Sequence, residues 1–189
     1  HTKFGMEEVH DRPSNHEIMD RKEFNDIKIV KSLKDKAWKQ LGTSGSGNHF
    51  VNFGEVEILH EDNELNIPVG KYLGILTHSG SRGLGANIAD FYTKLAMKTC
   101  VLPDMAKNLA WLDMDSEAGQ EYWLAMNLAG DYASACHHDI HKRLLKEMGL
   151  RSIALVENHH NFAWKEIYDG EELIVHRKGA TPAAKGVLG

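Results

Sequence analysis

Between Glu23 and Gln40 apolar residues fall at Phe24, Ile27, Ile29, Val30, Leu33, Ala37 and Trp38, with lysines interleaved. This near-helical spacing predicts one or two amphipathic helices. Upstream, from His1 to Asn15, the chain is polar and irregular, and Pro13 breaks it. Downstream the period changes. Phe50 to Leu59 alternates and predicts a strand; after the polar turn HEDNELN, the nearly continuous apolar run KYLGILTH predicts a second strand of the buried kind.

A helix is expected from Leu84 to Lys98 with Ile88, Phe91, Leu95 and Ala96 on one face, and Pro103 breaks the chain after it. Ser116 suits the N-cap of a long helix through Tyr122, Leu124, Met126, Leu128, Tyr132, Ala133 and Leu144, with Gly149 at its C-terminal end. SIALVEN, from Ser152 to Asn158, reads as a strand. Asp169 and Gly170 between two alternating runs read as a hairpin closed by a type I′ turn. The strands do not alternate strictly with helices, so the expected fold class is α+β. Its mixed or antiparallel sheets would have helices packed around them and a site at strand ends and loops.

Composition narrows this picture. The 189 residues suffice for one sizeable core or a large part of a bigger one, and 42% hydrophobic with 26% charged residues is ordinary for a globular protein. A net charge of −5 argues against nucleic-acid binding by bulk electrostatics and leaves room for a local basic groove. Two cysteines, Cys100 and Cys136, make no disulfide framework, which favours a reducing compartment. No apolar stretch reaches bilayer-spanning length, so a cytoplasmic location without membrane association is expected. The chain opens on His1 and stops at AAKGVLG, and is expected to be a piece of a longer protein.

The candidate chemistry centres on LGTSGSGNHF, Leu41 to Phe50. Its glycines let backbone amides approach a ligand, and successive amides can form a nest for an anion such as phosphate. The spacing matches neither a Walker A loop nor a dinucleotide fingerprint. Three of the twelve histidines, His49, His78 and His160, stand at strand or loop ends beside glycine, serine or asparagine. Imidazoles from separate elements commonly assemble a transition-metal site. Arg82, in HSGSRGLG just ahead of a helix, suits phosphate binding through its guanidinium and helix N-terminal amides, and Arg177 and Lys178 in HRKGAT repeat the theme. His137, His138 and His141 are expected on a solvated face of the long helix, and neither cysteine is assigned as a nucleophile.

Taken together, GSGNHF, THSGSRGLG and HHNFA, followed by VHRKGATPAAKGVLG and with GQEYWLAMNLAGDYA between them, resemble the RtcB family of RNA ligases from Trp38 to Gly189. The resemblance implies a GTP- and Mn(II)-dependent enzyme that joins an RNA 3′-phosphate or 2′,3′-cyclic phosphate to a 5′-hydroxyl. Its substrates would be tRNA halves in splicing, or broken RNA in repair, and an accessory activator protein is a possible partner. In the family a downstream histidine is guanylylated, GMP passes to the RNA 3′-phosphate, and the 5′-hydroxyl displaces it, with two Mn(II) ions polarising phosphates.

By motif position, His49 would ligate one manganese, and His78 and His160 the other. Asn48, His49, Phe50, Val51, Asn52, His160 and Asn161 would line the guanylate pocket. Arg82, Arg177 and Lys178 would meet phosphates of GTP or RNA. Asn52 stands where the family often has an acidic residue. The family's DxxCG-type metal motif, its GMP-binding Pro-Gly-Ser-Met segment and its HGAGR-type nucleophile segment are not in the sequence. The chain therefore reads as the central part of a single catalytic domain, 1–189, with no catalytic nucleophile of its own and expected to be inactive alone. The competing readings are a metal-dependent phosphohydrolase, which needs no GTP, and a non-catalytic nucleotide- or RNA-binding relative.

Overall fold

The structure, a computed structural model, describes residues 15–187. His1, His10 and Pro13 lie outside the described residues. The chain divides into two compact units, the first taking the described residues up to Gly54 with Ile75–Met148, the second Glu55–Gly74 with those from Gly149 onward. Both helices and small sheets are present, so the fold class is α+β.

In the first unit the stretch expected as one or two helices is broken twice, into α1 (Glu23–Asp26), α2 (Lys28–Ser32) and α3 (Lys34–Gln40). Ile27 breaks it with an extended backbone, φ −95 and ψ 114, and is buried. Two β-branched residues, Ile29 and Val30, follow within the next turn and hold a helix weakly, so burial of Phe24, Ile27 and Val30 decides the path. Ahead of α1, Arg21 donates to Glu23 at 2.7 Å and to Asp131 at 2.6 Å. The hydrogen bond from Arg21 holds the Glu23 carboxyl below the usual carboxylate range.

Two longer helices complete this unit, α4 (Arg82–Thr99) and α5 (Glu117–Met148). Ser116 Oγ accepts from the Gly149-distal end of α5, at the Gly119 amide 3.0 Å away, and Gly149 ends the helix at φ +66. Both ends are therefore as expected from the sequence. Alanines at 125, 129, 133 and 135, with Leu128, Tyr132, Cys136 and Ile140, form the buried stripe of α5. Against it α4 presents Leu84, Ile88, Tyr92 and Ala96. Tyr92 takes the place expected for Phe91, which is exposed; its hydroxyl donates to Glu121 at 2.6 Å. The fully buried Tyr132 donates to the Ala37 carbonyl at 2.6 Å and so ties α5 to α3.

β1 (Phe50–Ile58) and β2 (Gly70–His78) pair as a two-stranded sheet. The run expected as a buried strand is not buried: Leu73 and Leu76 are 57% and 63% exposed, since strand side chains stand on the faces of the sheet and are buried only by what packs there. In the second unit β3 (Asn161–Tyr168) and β4 (Glu171–Lys178) pair antiparallel, from Asn161↔Lys178 to Tyr168↔Glu171. Asp169 and Gly170 have φ of 51 and 85, as a type I′ turn requires. SIALVEN forms no strand; β-propensity without a ladder partner leaves Ile153, Leu155 and Val156 exposed. Among the described residues no helix is long and apolar enough to cross a membrane.

Tyr132→Phe removes the tie to α3 while the Ala37 carbonyl keeps the Leu41 amide. Urea denaturation should show a loss of about 1 kcal/mol, the net worth of one such bond.

Candidate functional site

The glycine loop and the turn after β2 meet in the first unit. Thr43 is fully buried, and its hydroxyl donates to the Gln40 carbonyl at 2.6 Å while accepting from Arg82 Nε at 3.1 Å. Gln40, also buried, accepts the Gly83 amide at 2.9 Å through Oε1. One amide of the first turn of α4 is thus already used within the protein. Arg82 sits at φ +53, a left-handed backbone that costs a non-glycine residue about 1–2 kcal/mol and persists where its surroundings over-determine it. Its guanidinium fills the space that a side chain on Gly45 would need, and Gly45 itself has φ +92.

His49 Nδ1 donates to the Ser44 carbonyl at 2.8 Å. A carbonyl only accepts, so this contact places the ring proton on Nδ1 and leaves Nε2 with its lone pair, the state in which histidine ligates a metal. Burial chiefly lowers the His49 pKa, with the charges of Arg82, His78 and His137 adding to it. The His78 ring meets His49 edge-on with centroids 5.7 Å apart, and stacks on Phe50 at 5.5 Å. Gly80 leaves the His49 ring open on that side, since a Cβ there would stand 3.9 Å from its Nε2. Asn48 and Asn52 are exposed, and Val51 is half-buried.

These neighbours suit two ligands of a transition-metal ion. No group of three or more His, Cys, Asp or Glu side chains able to hold a metal occurs among the described residues.

The histidines of α5 were expected on a solvated face, and two of them are not. His137 Nε2 donates to the Ser79 carbonyl at 3.2 Å, and His141 Nε2 shares a hydrogen bond with Thr77 Oγ1 at 3.0 Å. Their i, i+4 spacing was visible in the sequence; what the shared face meets was not. Beneath the glycine loop Asp139 packs against Gly42, whose φ is +72. Arg143 Nε lies 2.8 Å from Asp139 Oδ2, yet that buried oxygen has no aligned donor, so the pair is a charge contact and not a hydrogen bond. Burial pushes the Cys136 thiol up to about 11, which suits a core residue and not a nucleophile.

The second unit carries the other candidates. The His160 carbonyl accepts the Ala180 amide at 3.0 Å, and Asn161 Oδ1 accepts the Gly179 amide at 2.8 Å. Arg177 is committed to Glu166, with Nη2 2.9 Å from Oε2, and its Cζ lies 5.3 Å from the Trp164 ring centroid. The Arg177 guanidinium in turn holds the Glu166 carboxyl down to about 2. Lys178 is exposed.

The family model for "tRNA-splicing ligase RtcB" matches residues 2–188. The chain belongs to the RtcB family. It is 34% identical to the "tRNA-splicing ligase RtcB" of Nanoarchaeum equitans over 95% of this chain and 41% of that protein. It is 32% identical to the "RNA-splicing ligase RtcB homolog 1" of Entamoeba dispar over 82% of this chain and 32% of that protein. The "RNA-splicing ligase RtcB" of Escherichia coli K12 is 29% identical, over 86% and 40%. This RtcB chain thus spans about a third to two fifths of the length of these three relatives. Family membership accounts for the order of GSGNHF, THSGSRGLG, HHNFA and HRKGAT.

Because the folded His49 pKa lies below its ordinary value of 6.5, the unfolded chain takes up that proton first as pH falls. The loss of stability from His49 therefore begins as pH falls below 6.5, grows until the folded pKa is passed, and is absent well above 6.5. Urea midpoints measured at pH 7.5 and 5.5 should differ less in His49→Gln than in the wild type.

Proposed function

We propose that this chain is the central portion of the catalytic domain of a cytoplasmic RNA ligase. The ligase joins an RNA 3′-phosphate or 2′,3′-cyclic phosphate to a 5′-hydroxyl with GTP and two Mn(II) ions. Its substrates are tRNA halves and broken RNA, and an accessory activator protein is a further partner. The observation that carries this reading is the His49 ring, with its proton placed on Nδ1 by Ser44 and the His78 ring 5.7 Å away centroid to centroid.

His49 and His78 offer imidazole nitrogens to manganese. Bound divalent ions polarise a phosphate and activate the group that attacks it. Arg82, braced by Thr43 Oγ1, presents the two terminal nitrogens of its guanidinium to a phosphate of GTP or RNA. Asn48, Phe50, Val51 and Asn52 line the guanylate pocket next to His49. The roles of His160 and Asn161 rest on motif position alone. Lys178 is the better phosphate contact of the HRKGAT pair, since Glu166 already neutralises Arg177.

With labelled GTP, Mn(II) and RNA ends of the stated chemistry, the full-length protein carrying this chain should take up labelled GMP and join the ends. His78→Ala should weaken Mn(II) binding about tenfold or more, a loss typical of disturbing a metal site. Release of inorganic phosphate without GTP would replace this reading with a phosphohydrolase.

A further inference from the structure

We infer that His137 and His141 of α5 are positioning residues for His78: one helix face grips the residues on either side of it. The inference rests on the reading of His78 as a metal ligand. Thr77 and Ser79 flank His78, and they are the residues that His141 and His137 reach. The spacings are commensurate. One helical turn of four residues rises about 6 Å, and two strand residues advance about 6.6 Å. Imidazoles at i and i+4 therefore meet strand positions at j and j+2, and the residue between them is bracketed.

The chemistry of the two grips differs. The Ser79 carbonyl accepts only, so His137 donates from Nε2 and fixes the backbone where β2 leaves its ladder. His141 and the Thr77 hydroxyl each donate or accept, which sets the side chain one residue before His78. His138, between them in sequence, is exposed. The remaining freedom of His78 is rotation about its own side-chain bonds, and Phe50 on its face with His49 at its edge confine that.

A histidine that merely filled space would be replaced by leucine without moving His78, whereas glutamine reproduces the reach and donor of Nε2. The test is imidazole NMR on the metal-free chain, with His137→Leu, His137→Gln and the same pair at His141. The ring-to-ring cross-peak between His78 and Phe50 should weaken severalfold in the leucine variants and return in the glutamine variants. An unchanged cross-peak in the leucine variants, or equal loss in the glutamine variants, overturns the inference. If His137→Leu loses its thermal transition, the His141 pair decides by the same criterion. Adding Mn(II) to the wild type tests the underlying reading separately. Absence of paramagnetic broadening at His49 and His78 sinks the metal assignment and leaves the cross-peak result to judge the positioning role.

Discussion

The helical unit depends on how closely α5 is approached by its neighbours. Alanines at 125, 129, 133 and 135 leave little side chain between the backbone of α5 and the elements packed on it. Leu84, Ile88 and Tyr92 of α4 fill that space on one side, and the Tyr132 hydroxyl spans to α3 on another. Interiors packed at this density transmit position with little slack. The glycine loop starts where α3 ends, and the Ser79 turn ends where α4 starts. Fixing three helices therefore fixes Arg82 at the start of α4 and the two loops that lie beside it.

Polar groups inside such packing need partners, and the loop supplies them in a chain. The Gln40 carbonyl accepts from Thr43 and its side-chain oxygen from the Gly83 amide, and the Thr43 hydroxyl accepts from Arg82. Each buried acceptor in that chain is satisfied, so the arrangement resists alternatives in which one member swings out. Arg82 is the outermost member of this network. Its inner members are residues that no motif would single out.

Much of the fold was legible. Ser116, Gly149 and the Asp169-Gly170 pair act through local geometry, and each sits where local rules put it. The misses share one cause. Ile27, the SIALVEN segment and the face of β2 are decided by what lies opposite them, which no local pattern encodes. The same division runs through the site. Glycine, histidine and arginine spacing drew attention to His49, His78 and Arg82. The Ser44 carbonyl, Thr43 and the grip of His137 and His141 are contacts across sequence distance. Arg177 shows the reverse case, a motif residue whose charge is already spent on Glu166.

Gly45 and Arg82 share one volume, the guanidinium standing where a β-carbon at position 45 would be. Two positions far apart in the chain therefore form a single unit of inheritance. A side chain gained at 45 would have to push the guanidinium, the far end of a flexible side chain, out of the place it now occupies. The left-handed backbone at 45, φ +92, would still restrict it.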